Sequence, residues 1–150
     1  MDTSNDDVIS TSLTRVRTGN DIVTGGEGND TYIFERWDDR DTIFDSSGND
    51  KILFGNTVKH ENIIFHWNDN DLIINNSWDR IIVKNQKISE NRIERFELSN
   101  GNYLTNSDIE VLIQNMTSFA NNNGIDITNR REVTNNSELI NLVSNTWQVA

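Results

Sequence analysis

The chain has 150 residues, of which 24 are acidic and 13 are basic, so its formal net charge is −11. Such a charge argues against nucleic acids and anionic membranes as electrostatic partners, whereas a divalent cation would relieve the self-repulsion. There is no cysteine, which excludes disulfide bonds and thiolate metal sites.

The N-terminal segment, residues 1–18, is predicted to be a degenerate or disordered lead-in. Its first seven residues are mostly acidic and polar, and they lack the apolar core of a secretory signal peptide. No apolar run in the chain approaches the length of a membrane span, so we expect no direct insertion into a membrane.

Residues 19–55 contain the clearest motif. Gly-Asn-Asp triplets begin at Gly19, Gly28 and Gly48, and residues 25–33 fill the pattern G-G-x-G-x-D-x-U-x at every position. This pattern resembles the calcium-binding nonapeptide of parallel β-rolls, in which glycines allow tight turns, the aspartate supplies a charged oxygen and the apolar residue begins a strand. The apolar pieces that follow the aspartates predict short strands at residues 22–23, 32–34, 43–44 and 52–54.

The intervals between aspartates predict which loops stack. In a roll of nonapeptides each repeat is half a turn, so loops about eighteen residues apart lie on one edge, where a cation binds between them. Nine residues separate Asp21 from Asp30, and the same spacing recurs twenty residues later between Asp41 and Asp50. We therefore predict that Asp30 stacks on Asp50. On the other edge we predict that Asp21 stacks on Asp41 or, at the eighteen-residue interval, on Asp39.

Calcium is the predicted metal at these loops. It takes roughly six to eight oxygen ligands in irregular geometry, whereas magnesium requires a stricter octahedron and zinc prefers nitrogen or sulfur. Gly26, Gly28 and Gly48 join the aspartates as candidate metal residues, and they make the Asp30/Asp50 site the stronger one. His60 and His66 have no partner at ligand spacing and are expected to be ordinary strand-end residues.

From residue 56 the glycine-rich pattern gives way to longer apolar runs, and residues 56–120 predict a small antiparallel β meander followed by a helix. Ser107 and Glu110 fit a capping box at the start of this helix. Gly124 follows its end. Apolar residues at helical spacing predict its buried face: Ile109, Leu112, Ile113, Met116 and Phe119. The strands of the meander are predicted at 62–67, 71–74 and 80–84, followed by an outer strand at 92–98 and a short return at 103–104.

These patterns together resemble the C-terminal part of an RTX, or haemolysin-type calcium-binding, protein. Residues 19–54 look like the last repeats of its roll, and the string Arg-Ile-Glu-Arg-Phe-Glu at 92–97 is similar to the domain that caps such rolls. Glu35, Trp37 and Asp39 stand where the family has glycines in its F-G-x-G-D-G-x-D-T-I stretch. This departure weakens the predicted Asp21/Asp41 site.

The resemblance implies a mainly β fold: a short parallel β-roll, an antiparallel β cap, an α-helix and a flexible C-terminal tail. Residues 121–150 are expected to be a linker and an uncleaved type I secretion signal, whose apolar residues are Leu139, Ile140, Leu142, Val143 and Trp147. The implied function is a calcium-binding folding and secretion module, monomeric, unfolded at low cytosolic calcium and folded outside the cell. Its implied partners are calcium ions and a type I secretion transporter.

The sequence allows one alternative function and argues against another. Four tryptophans, Trp37, Trp67, Trp78 and Trp147, favour as an alternative an extracellular adhesion module for protein or glycan partners. An enzyme is not expected, because no H-E-x-x-H, G-x-S-x-G or P-loop motif occurs. Any toxin or hydrolase activity is expected to belong to a region upstream of this sequence.

Overall fold

The computed structural model describes residue 5, residues 7–10 and residues 19–150. In these ranges it has ten strands in two five-stranded sheets, together with three α-helices, so the fold is dominated by β-structure as predicted. The strands are β1 (Val8–Ser10), β2 (Ile22–Thr24), β3 (Thr31–Phe34), β4 (Arg40–Phe44), β5 (Lys51–Phe54), β6 (Ile63–Asn68), β7 (Asp71–Asn76), β8 (Asp79–Val83), β9 (Arg95–Glu97) and β10 (Tyr103–Thr105). The helices are α1 (Asn106–Asn123), α2 (Arg130–Thr134) and α3 (Ser137–Thr146), and short 3₁₀ helices lie at His60–Asn62 and Ser89–Asn91.

Consecutive strands from β1 to β5 alternate between the two sheets. The first sheet has the order β1-β3-β5-β9-β10 and the second the order β2-β4-β8-β7-β6. Strand β1 therefore pairs in parallel with β3, β2 with β4, and β3 with β5. Thr31 lies beside Lys51 in the first sheet, and Ile22 lies beside Thr42 in the second. Loops twenty residues apart consequently lie above one another.

The predicted meander is present and is continuous with the parallel ladders. Strands β6, β7 and β8 pair antiparallel through two-residue turns. However, β8 also pairs in parallel with β4, and β9 pairs in parallel with β5. Each sheet therefore contains strands from both sides of the predicted domain boundary at residue 55.

The core lies between the sheets and extends to the helices. In β3 and β5 the residues alternate between half-buried and buried, and the inward side chains are Tyr32, Phe34, Ile52 and Phe54. This period of two is what places one face of each strand in the core. Further along the core the ring of Phe65 meets that of Phe96 edge-on, with centroids 6.1 Å apart.

The N-cap of helix α1, Thr105, lies two residues before the predicted cap. The Oγ1 of Thr105 accepts from the backbone N–H of Asp108 (3.2 Å), and Asp108 Oδ2 accepts from the N–H of Thr105 (2.8 Å). The capping box is thus Thr105/Asp108, and the predicted pair Ser107/Glu110 is wrong, because Thr105 has the extended backbone that an N-cap requires. The helix ends at Gly124, which has a φ of 65°. The predicted apolar stripe faces the core, with Phe119 only partly buried.

The C-terminal segment is not the flexible tail that was expected. It forms α2 and α3, each with an asparagine as its N-cap. Leu139, Val143 and Trp147 are spaced four residues apart, so they share one face of the helical turns, and all three are buried. The ring of Trp147 lies 6.5 Å from that of Phe65. The other two apolar residues predicted for the secretion signal, Ile140 and Leu142, are half-buried.

Within the predicted lead-in, Val8–Ser10 forms a strand that pairs with β3. Residues 1–4, 6 and 11–18, on which the rest of that prediction falls, lie outside the described residues. In the part of the chain that is described, none of the helices has the length and apolarity that a membrane span needs.

Candidate metal centre

Two stacked loops, residues 25–30 and 45–50, form the candidate site. The N–H of Gly28 donates to Ser47 O (3.1 Å), and the N–H of Ser47 donates to Gly26 O (3.3 Å). The N–H of Asp30 donates to Asp50 Oδ1 (2.8 Å), one residue before β3 and β5 begin to pair. The structure thus places Asp30 on Asp50 at an interval of twenty residues.

Three carboxylates converge between these loops. Oxygens of Asp30, Asp45 and Asp50 all lie within 4.8 Å of one another. The residues are 1%, 5% and 1% exposed, respectively. Among the described residues, Asp45 Oδ1 and Asp50 Oδ2 have no hydrogen-bond partner. Buried carboxylates are costly unless hydrogen bonds or positive charge compensate them, and these two oxygens receive no hydrogen bond from the described residues.

Tyr32 holds one of the three carboxylates in place. Its hydroxyl is buried, donates to Asp45 Oδ2 and accepts from the N–H of Gly25 (2.9 Å). Burial, and the hydrogen bond and charge of Asp45, raise the pKa of the Tyr32 hydroxyl, which therefore stays protonated as a donor. Asp45 is fixed on one oxygen, while its other oxygen remains for a ligand.

Two glycines leave the space that the carboxylates occupy. A Cβ on Gly25 would lie 2.2 Å from Asp30 Oδ2 and 2.4 Å from the Tyr32 hydroxyl. A Cβ on Gly48, which has a φ of 151°, would lie 1.6 Å from Gly28 O. Neither position tolerates a side chain without displacing the loops.

Two members of the triad resist ionisation. Burial, with the nearby charges of Asp45 and Glu94, raises the pKa of Asp50 from its ordinary 3.8 to about 7. Burial also raises the pKa of Asp45 and that of Glu94. Because Asp50 in the folded state then holds a proton that the unfolded chain has already released, its contribution to stability is greatest below about pH 4 and falls as the pH rises towards 7. A bound cation would replace this proton.

Acidic residues also precede and follow the triad on the same edge. The N–H of Asp7 donates to Asp30 Oδ1 (2.7 Å), and the N–H of Asp50 donates to Glu94 Oε2 (2.8 Å). Each level of the stack therefore offers a carboxylate to the backbone of the preceding level. Glu94 accepts from Asp50 although it comes 44 residues later in the chain. It directly precedes β9, which lies beside β5 in the sheet.

The second predicted site, on the opposite edge, has the predicted stacking. The N–H of Asp21 donates to Asp41 Oδ1 (2.9 Å), and the N–H of Gly19 donates to Asp39 Oδ2 (2.9 Å). Asp41 is buried, whereas Asp21 and Asp39 are exposed. Within the described ranges, the only group of three acidic or histidine ligands is the triad, so these aspartates do not form an equivalent cluster.

Two positions in this loop keep the backbone of a glycine without being one. Trp37 has a φ of 73° and Asp39 a φ of 63°. Both lie in the left-handed region that favours glycine. The turn therefore has a glycine-like backbone at two residues that are not glycine.

Asp45 is a candidate ligand that the sequence pattern did not predict. It opens the loop Asp-Ser-Ser-Gly-Asn-Asp, which aligns with Gly-Gly-Glu-Gly-Asn-Asp at the same twenty-residue interval that was found for the aspartates. The alignment places Asp45 opposite Gly25, where the nonapeptide has a glycine. The nonapeptide pattern is defined by its glycines, so it does not predict an aspartate in a glycine position.

The donor set fits a hard divalent cation. All three side chains offer carboxylate oxygens, and two of those oxygens are buried without a partner in the described structure. Such a set suits calcium, or magnesium with waters, and does not suit zinc or copper, which prefer nitrogen and sulfur. His66 lies elsewhere, and burial together with the charge of Arg80 lowers its pKa.

Comparison with models of protein families finds none that matches this chain. No curated protein matches it either. The functional assignment therefore rests on the residues and geometry described above.

Proposed function

We propose that this chain is a calcium-binding folding and secretion module, built as the end of an RTX parallel β-roll. The observation that supports this most strongly is the buried triad of Asp30, Asp45 and Asp50 between two stacked loops. The alternation of strands between two sheets also supports it, as does the stacking at an interval of twenty residues, close to the eighteen expected of such a roll. The proposal assigns no catalytic role to the chain.

The triad gives the module its dependence on calcium. Without a cation, the folded loops bring together three buried carboxylates that repel one another, and one oxygen each of Asp45 and Asp50 receives no hydrogen bond from the described residues. Calcium, when bound, supplies the positive charge that permits all three to ionise. Extracellular sites bind calcium at about 10⁻⁴–10⁻³ M. A site of about 0.1 mM in about 1 mM calcium adds roughly 1.4 kcal/mol to the free energy of unfolding.

We propose further that the chain leaves a bacterial cell through a type I transporter and folds outside. At submicromolar cytosolic calcium the repulsion in the loops favours the unfolded chain, which can be threaded through a channel. In this proposal the C-terminal segment that contains Leu139, Val143 and Trp147 is recognised by the transporter before it packs. The partners are then calcium ions and the transporter, and the location is extracellular.

A calcium titration tests the metal site. Isothermal calorimetry and thermal unfolding, followed by circular dichroism, are measured on the wild type, on Asp45→Asn and on the control Asp69→Asn. Asp69 is an exposed aspartate in the β6–β7 turn, so its substitution removes the same charge at a distance from the triad. We expect Asp45→Asn to weaken calcium binding about tenfold or more, and Asp69→Asn to leave it unchanged.

Two results would contradict the proposal. One is wild-type protein that shows neither heat nor a shift in melting temperature in millimolar calcium. The other is an equal loss of affinity in Asp45→Asn and Asp69→Asn, which would indicate a diffuse effect of net charge. Magnesium at the same concentrations serves as the comparison ion, since the irregular site is expected to favour calcium.

A further inference from the structure

A cleft of about 310 Å³ on the outer face of the β4–β8 pair is lined by Arg40, Arg80, Arg130 and Trp78. We infer that this cleft binds a saccharide that carries a carboxylate. The inference goes beyond the proposed function, because the cleft shares no residue with the triad. It turns the general possibility of adhesion by tryptophans into one surface and one class of ligand.

Two of the arginines are placed side by side by the sheet. Arg40 on β4 is the register partner of Arg80 on β8, so the two side chains project from the same face of neighbouring strands. Like charges in this relation destabilise a sheet. Neither forms a salt bridge with any described residue. Two of the chain's 13 basic residues are therefore adjacent on one face, with no salt bridge to a described carboxylate that would offset their repulsion.

The third arginine adds a buried donor. Arg130 comes from the start of α2, and its Nε is buried with no hydrogen-bond partner among the residues described. Arg80 Nε, by contrast, donates to Asn75 Oδ1 (3.0 Å), which fixes its guanidinium and leaves the terminal nitrogens for a ligand. Guanidinium groups bind carboxylates through paired hydrogen bonds, so three of them suit an acidic group.

Trp78 supplies a flat apolar surface beside this charge. It occupies the second position of the two-residue turn between β7 and β8, and it is 83% exposed. Such turns favour asparagine or glycine, and an exposed indole contributes nothing to the core. Tryptophan and arginine are the residues that most often dominate binding surfaces. An indole face stacks on the C–H face of a sugar ring, while the arginines take its acidic group.

The surroundings favour a saccharide over a nucleic acid. Asp79 also lines the cleft, and its two oxygens accept from the N–H groups of Trp37 (2.9 Å) and Asp39 (3.1 Å). A closely charged phosphate chain would meet this carboxylate and the net charge of −11. A small ligand with a single acidic group meets less of this repulsion than a polyanion does. The cleft volume lies at the lower end of small-molecule sites, roughly 300–1,000 Å³.

Calorimetry on the calcium-saturated chain tests the inference. The probes are sialyllactose, a hyaluronan tetrasaccharide and trigalacturonate, with lactose as the neutral counterpart of sialyllactose. We expect at least one acidic probe to bind and lactose to bind less tightly or not at all. Trp78→Ala and Arg130→Ala are each expected to weaken binding about tenfold or more. Arg36→Ala, which removes the same charge from a different surface, is the matched control and is expected to leave binding unchanged.

The outcomes separate this site from the calcium site. Failure of all three acidic probes at millimolar concentration, while the chain still binds calcium, overturns the inference and leaves the proposed function intact. Equal binding of inorganic sulfate and of the acidic saccharides, insensitive to Trp78→Ala, reduces the cleft to a simple anion site and also overturns it. Tighter binding of oligothymidylate than of any saccharide would assign the surface to nucleic acid instead.

Discussion

Replacing Gly25 by alanine is expected to destabilise the chain through contact with the triad. The added Cβ would lie 2.2 Å from Asp30 Oδ2, 2.6 Å from Asp30 Cγ and 2.4 Å from the Tyr32 hydroxyl. Gly25 does not have the left-handed backbone of Gly26 and Gly28, so the effect comes from the methyl group alone. Overpacking of this kind costs about 1–3 kcal/mol. In a chain of this length, each kcal/mol lowers the melting temperature by roughly 2–4 °C.

Thermal unfolding followed by circular dichroism measures this effect, in excess chelator and in millimolar calcium. We expect Gly25→Ala to melt about 2–12 °C below the wild type. We also expect calcium to raise its melting temperature less than that of the wild type, since the Asp30 carboxylate has to move away from its position in the triad. The two conditions thus report separately on packing and on the metal site.

Gly19→Ala is the matched control. An added Cβ at Gly19 meets no atom of the described residues within 4 Å, and its backbone is not left-handed. Its melting temperature is expected to equal that of the wild type or to rise slightly, because alanine restricts the unfolded chain. If Gly25→Ala and Gly19→Ala melt together and respond equally to calcium, the packed arrangement of Gly25, Asp30 and Tyr32 is wrong.

Three further predictions concern the triad, the helix cap and the C-terminal segment. In excess chelator the melting temperature should fall as the pH rises from about 4 to about 7, because the raised pKa of Asp50 keeps its proton bound only in the folded state; Asp50→Asn should flatten this dependence, and a wild-type profile that rises over this range would contradict it. Thr105→Ala should lower the free energy of unfolding in urea by about 1 kcal/mol, whereas Ser107→Ala should change it little; the reverse order would restore the cap predicted from the sequence. Trp147→Ala should cost about 3–5 kcal/mol in the same assay because its ring packs beside Phe65, and a loss below about 1 kcal/mol would show that the segment is not part of the core.

The order of the loops could be predicted from the sequence because their spacing is a chain-length constraint. A strand and a loop of fixed length return the chain to the same edge after a fixed number of residues, and Asp30 and Asp50 therefore meet whatever the side chains between them are. Glu94 could not be found in this way. It reaches the same edge after a detour through β6, β7 and β8, so its interval of 44 residues has no relation to the repeat.

The helix cap and the C-terminal tail were predicted wrongly, for different reasons. Both Thr105/Asp108 and Ser107/Glu110 satisfy the spacing of a capping box, and the choice depends on where β10 ends and the backbone turns. The expectation of a flexible C-terminal tail comes from the family resemblance and not from a local pattern. The order of this segment comes from three buried residues four apart, Leu139, Val143 and Trp147, which gain their stability from packing against α1 and Phe65 rather than from helix propensity.

The proposed export signal and the folded core use the same side chains. Trp147 packs beside Phe65, Phe65 meets Phe96, and Phe96 pairs in register with Ile52, two residues after Asp50. A transporter that recognises the Trp147 face therefore needs a chain in which this packing has not formed. On the proposal above, repulsion within the triad opposes folding where calcium is scarce, so the carboxylates that bind the ion outside the cell also keep the C-terminal face available inside it. On this proposal the metal site and the export segment form one device, connected through the shared core of the two sheets.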